Sequence, residues 1–169
     1  ENIFNELKEK NIRVKLDNRD HYKPGFKFAE HEAAGIPLRV AVGPRDVKNN
    51  KAELARRDTK SKSIEERGDL IKTIDDLLHT IQDDLFKAAK ERREANTHNV
   101  DSYDAFKKVV KEKGGFIYAH WDGTTETEEK IKEETKASIR CIPFEKGEPG
   151  TCMVTGKPSE QKVLFAQAY

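Results

Sequence analysis

Cysteine, tryptophan and long apolar runs are what this sequence has least of. Two cysteines among 169 residues, Cys141 and Cys152, give no disulfide framework and suit a reducing compartment. No apolar stretch approaches the roughly 18 residues needed to span a bilayer. The polar start Glu1-Asn2-Ile3 has no signal-peptide pattern, so the expectation is a soluble, cytoplasmic protein with no membrane partner. The sequence has no GxSxG and no glycine-rich phosphate loop, and its five histidines, at 21, 31, 79, 98 and 120, share no motif. No catalytic residue is assigned.

What is present is charge. Charged residues make up 37% of the chain against 35% apolar, so the core must be lean, and the length allows one ordinary domain or two small ones. The net charge of +1 is uneven: residues 1–60 hold 14 Lys/Arg against 10 Asp/Glu, and residues 61–169 hold 18 against 21. A mildly basic first part is compatible with a phosphate backbone but does not establish one.

Hydrophobic periodicity predicts α/β structure in two units. Ile3, Phe4 and Leu7 share a helical face, and Ile12, Val14 and Leu16 alternate as a half-buried strand. Pro24 opens a short helix through Phe28 to Ala34, ended by Gly35. Strands follow at 37–42, stopped by Gly43-Pro44, and at 52–56 after the Asn49-Asn50 turn. From Ile64 to about Asn96 apolar residues recur every three or four positions, which reads as one long amphipathic helix. Beyond it, Asp101 reads as an N-cap, and Thr125 with Glu128 as a capping box. Strands are expected at 116–119, 138–144 and 162–166. The domain scheme is therefore 1–63, a connecting helix over 64–98, and a second α/β domain over 99–169.

The densest group of informative side chains runs from Gly25 to Asp46. Unpaired RNA bases stack on aromatic rings and are read along their edges. Arginine matches the two acceptors of guanine O6/N7, and a carboxylate matches the donors on the opposite guanine edge. Glu32, Arg39, Arg45 and Asp46 can therefore prefer guanine, with Phe28 as a stacking face. The same residues also read as surface ion pairs with Phe28 in the core.

Several stretches carry a resemblance to a known family: Asp17-Asn18-Arg19-Asp20, Gly25-Phe26-Lys27-Phe28, Gly35 to Val40, Val42 to Asp46, Arg56-Arg57-Asp58-Thr59, Lys113 to Phe116, Ile139 to Glu145 and Leu164 to Tyr169. Together they resemble the anticodon-binding and terminal domains of prolyl-tRNA synthetases of the eukaryote/archaeal-like type, over essentially the whole chain. The resemblance implies a class II synthetase anticodon-binding domain, a mixed sheet flanked by helices, plus a small α/β terminal domain.

Its functional implication is tRNA(Pro) recognition, with Glu32, Arg39, Arg45, Asp46 and Phe28 at the second and third anticodon bases, both guanine. Lys23, Lys27, Lys48 and Lys51 are phosphate-contact candidates. ATP and magnesium would serve a catalytic domain outside this chain. The implied partners are that domain and a second copy of the enzyme, with no DNA.

The family's terminal domain usually carries four zinc-binding cysteines, at positions occupied here by Asp122, Thr127, Cys152 and Thr155. One thiolate remains, so no zinc is expected; a substitute site of His120, Cys141, Asp122 and Cys152 is the alternative. The resemblance also directs the Tyr169 carboxylate toward the catalytic domain, and makes the chain look like a fragment that lacks its first strand. Two other readings stay open: a free-standing RNA-binding paralogue, or an interaction module using the long helix.

Overall fold

The computed structural model describes residues 1–167; the expectation for Tyr169 lies outside the described residues. The chain divides into two compact units, Glu1–Ala88 and Ala89 onward. Among the described residues no helix is long and apolar enough to cross a membrane.

In the first unit, α1 (Asn2–Glu9) buries Leu7, and an irregular segment leads to α2 (Pro24–Ala33). The expected strand at 12–16 does not form. Alternation alone makes no strand without a neighbour to hydrogen-bond, and Ile12 and Val14 instead pack as loop residues against the core. Pro24 stands in the first turn of α2. Gly35, at φ +85°, lets the chain turn out of it: its amide donates to Glu32 O and that of Ile36 to His31 O.

Three strands follow, β1 (Leu38–Ala41), β2 (Lys51–Arg56) and β3 (Lys62–Glu66), as an antiparallel sheet in that order. A short helix α3 (Pro44–Asn49), which the sequence had suggested was only a turn, links β1 to β2. Leu38 and Val40 face the core formed by Leu7, Ala52, Leu54, Leu70 and Ile74. Arg39, Glu53 and Lys62 therefore stand on the other face.

The long helix α4 covers Leu70–Ala95, not 64–96. Residues 62–66 pair with β2 instead, and Ile64, which extended the apparent helical stripe, points to solvent at 67% exposure. The helix begins in the first unit and ends in the second.

The second unit comprises β4 (Thr97–Asn99), α5 (Tyr103–Glu112), β5 (Phe116–His120), α6 (Thr125–Thr135), β6 (Ala137–Cys141), two-residue strands β7 (Gly150–Thr151) and β8 (Pro158–Ser159), and β9 (Lys162–Gln167). Its main sheet is mixed, ordered β4-β5-β9-β6: β4 runs parallel to β5 and the other pairs are antiparallel. Phe106 of α5 meets Phe165 of β9 edge to face at 5.2 Å, inside a core with Ile117, Ile131 and Val163.

Both caps differ from expectation by one residue. Ser102, not Asp101, accepts from Ala105 N–H at the start of α5, which leaves Asp101 to pair with Lys162 at 2.7 Å. Thr124, not Thr125, accepts from Thr127 N–H at the start of α6. In both cases neighbouring polar residues could cap, and backbone placement chose between them. The strand expected over 138–144 stops at Cys141, shortly before Pro143, which has no amide to donate.

Candidate nucleic-acid interface

The predicted base-reading residues come from three elements. Phe28 and Glu32 lie one helical turn apart on α2, so they share a face. Arg39 rises from the solvent-side face of β1, and Arg45 and Asp46 open α3.

The structure joins the first three. The Arg39 guanidinium lies over the Phe28 ring at 3.7 Å, a cation–π arrangement. Its terminal nitrogens donate to Glu32 at 3.2 Å and Glu53 at 3.4 Å, while its buried Nε has no partner among the described residues. Lys60 donates to the second oxygen of Glu32 at 3.1 Å, and Lys62 lies 3.3 Å from Glu53. Glu32 is held below the usual carboxylate range, by Lys60 first and by Arg39 and Lys62 at longer range.

Arg45 and Asp46 are not hydrogen-bonded to this group. Asp46 accepts from Gly43 N–H at 2.7 Å, closing the first turn of α3, so one carboxylate oxygen already has a structural task. Arg45 is exposed and makes no ion pair among the described residues. The Glu32–Arg39 pair of the alternative reading is therefore present, whereas the Arg45–Asp46 pair is not.

The phosphate candidates separate in the same way. Lys27 donates to Asp17 O at 3.3 Å, and Lys51 pairs with Glu66 at 2.9 Å. Lys23 and Lys48 are exposed and make no ion pair among the described residues.

Sequence reasoning missed what steadies α2. Asp17 accepts from Arg19 at 2.8 and 2.7 Å and lies 2.8 Å from His31 Nε2, while Arg19 continues to Glu30 at 2.7 Å. The Arg19 guanidinium chiefly, with His31, holds the Asp17 carboxyl far below its ordinary range. The spacing Asp17-x-Arg19 in a turn-rich segment was the available signal. Its partners Glu30 and His31 could not be read without knowing which side of α2 faces back. Glu53, Lys60 and Lys62 were missed for the same reason: strand register brings Glu53 to Arg39 and Lys62 to Glu53, and the turn between β2 and β3 brings Lys60 to Glu32.

In the second unit, three of the four positions that the resemblance links to zinc, Asp122, Thr127 and Thr155, converge around the carboxylate. Asp122 Oδ2 accepts from Thr127 Oγ1 at 3.1 Å and Thr155 Oγ1 at 2.8 Å, and Oδ1 from Thr124 Oγ1 at 2.9 Å. Three hydroxyls around a carboxylate whose lone pairs are already engaged do not fit a tetrahedral zinc shell, and Cys152, buried as a free thiol, is the one soft ligand left of the four positions. The substitute set does not assemble either: His120 Nδ1 lies 3.1 Å from Ser159 Oγ, Cys141 is exposed on β6, and no three potential ligands converge among the described residues.

Comparison with known proteins decides the domain types. Residues 1–77 match the family described as the anticodon binding domain, and residues 103–169 the one described as prolyl-tRNA synthetase, C-terminal. The chain carries the anticodon-binding and C-terminal domains of prolyl-tRNA synthetases. Curated relatives named proline–tRNA ligase include those of Cytophaga hutchinsonii, 60% identical over 168 residues, and Amoebophilus asiaticus, 52% identical over 170 residues. These matches cover 99% and 100% of this chain but 34% and 35% of the relatives, so the chain spans about a third of the length of the curated relatives it matches. The anticodon-binding domain has the α/β architecture described above.

Proposed function

We propose that this chain is the tRNA-reading part of a proline–tRNA ligase, and that its first unit recognises the proline anticodon. The observation that carries the reading is the Phe28–Arg39–Glu32 group within residues matched to an anticodon-binding domain. A flat cation held against a ring, with carboxylates on both sides, offers an incoming guanine a stacking surface, donors for O6/N7, and acceptors for N1–H and the exocyclic amine.

Arg39 would exchange one of its carboxylate partners for the base, while exposed Arg45 would reach a base without breaking a pair. Asp46 would contribute its remaining oxygen. Lys23 and Lys48 are the better phosphate contacts, since Lys27 and Lys51 already have partners. Proline activation with ATP and magnesium would take place in a catalytic domain outside these residues, and the working enzyme would be a cytoplasmic homodimer.

The eukaryote/archaeal-like type rests on the motifs between Asp17 and Asp46 and at the end of the chain; the relatives named above are bacterial. The division of labour, decoding in the first unit and a supporting role for the terminal one, rests on the separate family matches. The terminal unit is proposed to hold its loops through Asp122 instead of a metal.

Binding of tRNA(Pro) against a variant with either anticodon guanine changed to adenine tests the reading. The chain should prefer the guanines, and Arg45→Ala should remove about 1–3 kcal/mol of that preference. Indifference of the unaltered chain to the base change would leave the interaction-module reading in its place.

A further inference from the structure

Next to the proposed base-reading group, on another side of α2, is an aromatic arrangement that the anticodon contacts do not use. Tyr22 and Phe26 stack with ring centres 4.6 Å apart and planes 21° from parallel. His21 lies against Tyr22 at 4.2 Å, and the Arg19 guanidinium lies over the Tyr22 ring at 4.9 Å. Phe26 is 53% exposed and Tyr22 38%. Burial in a core would not leave a stacked pair open to water in this way. Phe26 and Phe28 are two residues apart on a helix, so they point to different sides of it.

The arrangement is held in place. Arg19 is fixed by Asp17 and Glu30, and Glu30 lies one turn beyond Phe26 on α2. Holding the aromatic column in advance lowers the ordering cost of adding another flat group. Nearby Lys23 is exposed and can meet the phosphate that accompanies a base. Exposed aromatic rings beside arginine and lysine form a stacking platform for unpaired nucleic acid that is tolerant of base identity.

We propose that Phe26, backed by Tyr22 and Arg19, is a second stacking platform that takes one further unpaired base of the anticodon loop outside the two guanines. This rests on the reading that the first unit binds that loop. The platform adds affinity without selecting sequence, since every base has a π face, whereas the Phe28–Arg39–Glu32 group selects guanine. Together the two would grip the loop from both sides of α2, fixing where the guanines arrive.

The test uses the 169-residue chain and an RNA stem-loop with the proline anticodon. Phe26→Ala should weaken binding by about 5- to 150-fold, the range for losing one stacked base, with the guanine-to-adenine ratio unchanged. Phe26→Trp should retain binding. Replacing the loop bases one at a time by an abasic site should reveal one position, other than the guanines, whose loss weakens binding to the unaltered chain but not to Phe26→Ala.

If Phe26→Ala binds as well as the unaltered chain, or no abasic position is coupled to it, the platform is wrong while guanine selection stands. If Phe26→Ala erases the guanine preference, Phe26 belongs to the selective site and the proposal of a separate platform also fails. Loss of guanine preference in the unaltered chain would instead remove the underlying reading. Circular dichroism of each variant checks that a binding loss is not an unfolding.

Discussion

The two units hold themselves together by different means. The first has a small core of Leu7, Ala52, Leu54, Leu70 and Ile74 and spends its charges in shared pairs: Arg19 meets Asp17 and Glu30, Arg39 meets Glu32 and Glu53, and Arg56 meets Asp58 and Asp84. The second packs Phe106, Ile117, Ile131, Val163 and Phe165, and its ion pairs, including Glu94 shared by Lys90 and Arg93, are largely exposed. Burial is the stronger stabiliser, because exposed ion pairs add about 0–1 kcal/mol each, while full burial of a large apolar side chain gives roughly 1.5–3 kcal/mol. The first unit thus keeps a charged, aromatic surface at some expense of core, and the second concentrates on stability.

The largest expected effect tests that contrast directly. Phe165→Ala removes a fully buried ring at the centre of the second core and should cost about 3–5 kcal/mol in urea unfolding. A cost within 1 kcal/mol would show that this core is not what stabilises the unit.

Asp122→Ala comes next. It removes the acceptor of the Thr124, Thr127 and Thr155 hydroxyls and should cost about 1–3 kcal/mol, with melting unaffected by a zinc chelator before or after the change. Burial pushes the Asp122 carboxyl up, but hydrogen bonds from Thr155, Thr124 and Thr127 together outweigh it and leave it below its ordinary value. A carboxyl lowered in the folded state contributes stability above the unfolded value, near 3.9, and loses it as pH falls through the lowered folded value. Acid should therefore destabilise the unaltered second unit more than Asp122→Ala, and equal acid sensitivity would remove Asp122 from this role. Smallest is Ser102→Ala, which deletes the α5 cap at about 1 kcal/mol; Asp101→Ala at the neighbouring position should cost less.

Much of this was legible beforehand where local chemistry decides. Pro24 and Gly35 bracket α2 because a fixed φ suits the first turn and a positive φ suits the exit. The strands at 38–41, 51–56, 116–120 and 162–167 followed from short apolar runs between turn residues. The residue types of Phe28, Glu32 and Arg39 suit a guanine, and these three side chains meet.

The misreadings arose where two local solutions were nearly equal. Residues 12–16 have strand alternation but no partner strand, while residues 62–66 continue a helical stripe yet find β2 beside them. Backbone hydrogen bonding is satisfied between segments, and no single segment records whether its partner is present.

By itself, then, the sequence determined the class of fold, the punctuation of its helices and the residue types available to face an RNA base. These follow from side-chain shape, backbone freedom and hydrophobic period, which act over a few neighbouring positions. The tertiary structure alone decided that Glu53 meets Arg39, that Lys60 and Lys62 reach Glu32 and Glu53, and that Thr155 joins Asp122. Those groups come from residues distant along the chain, and their distances are set by strand register and helix rotation.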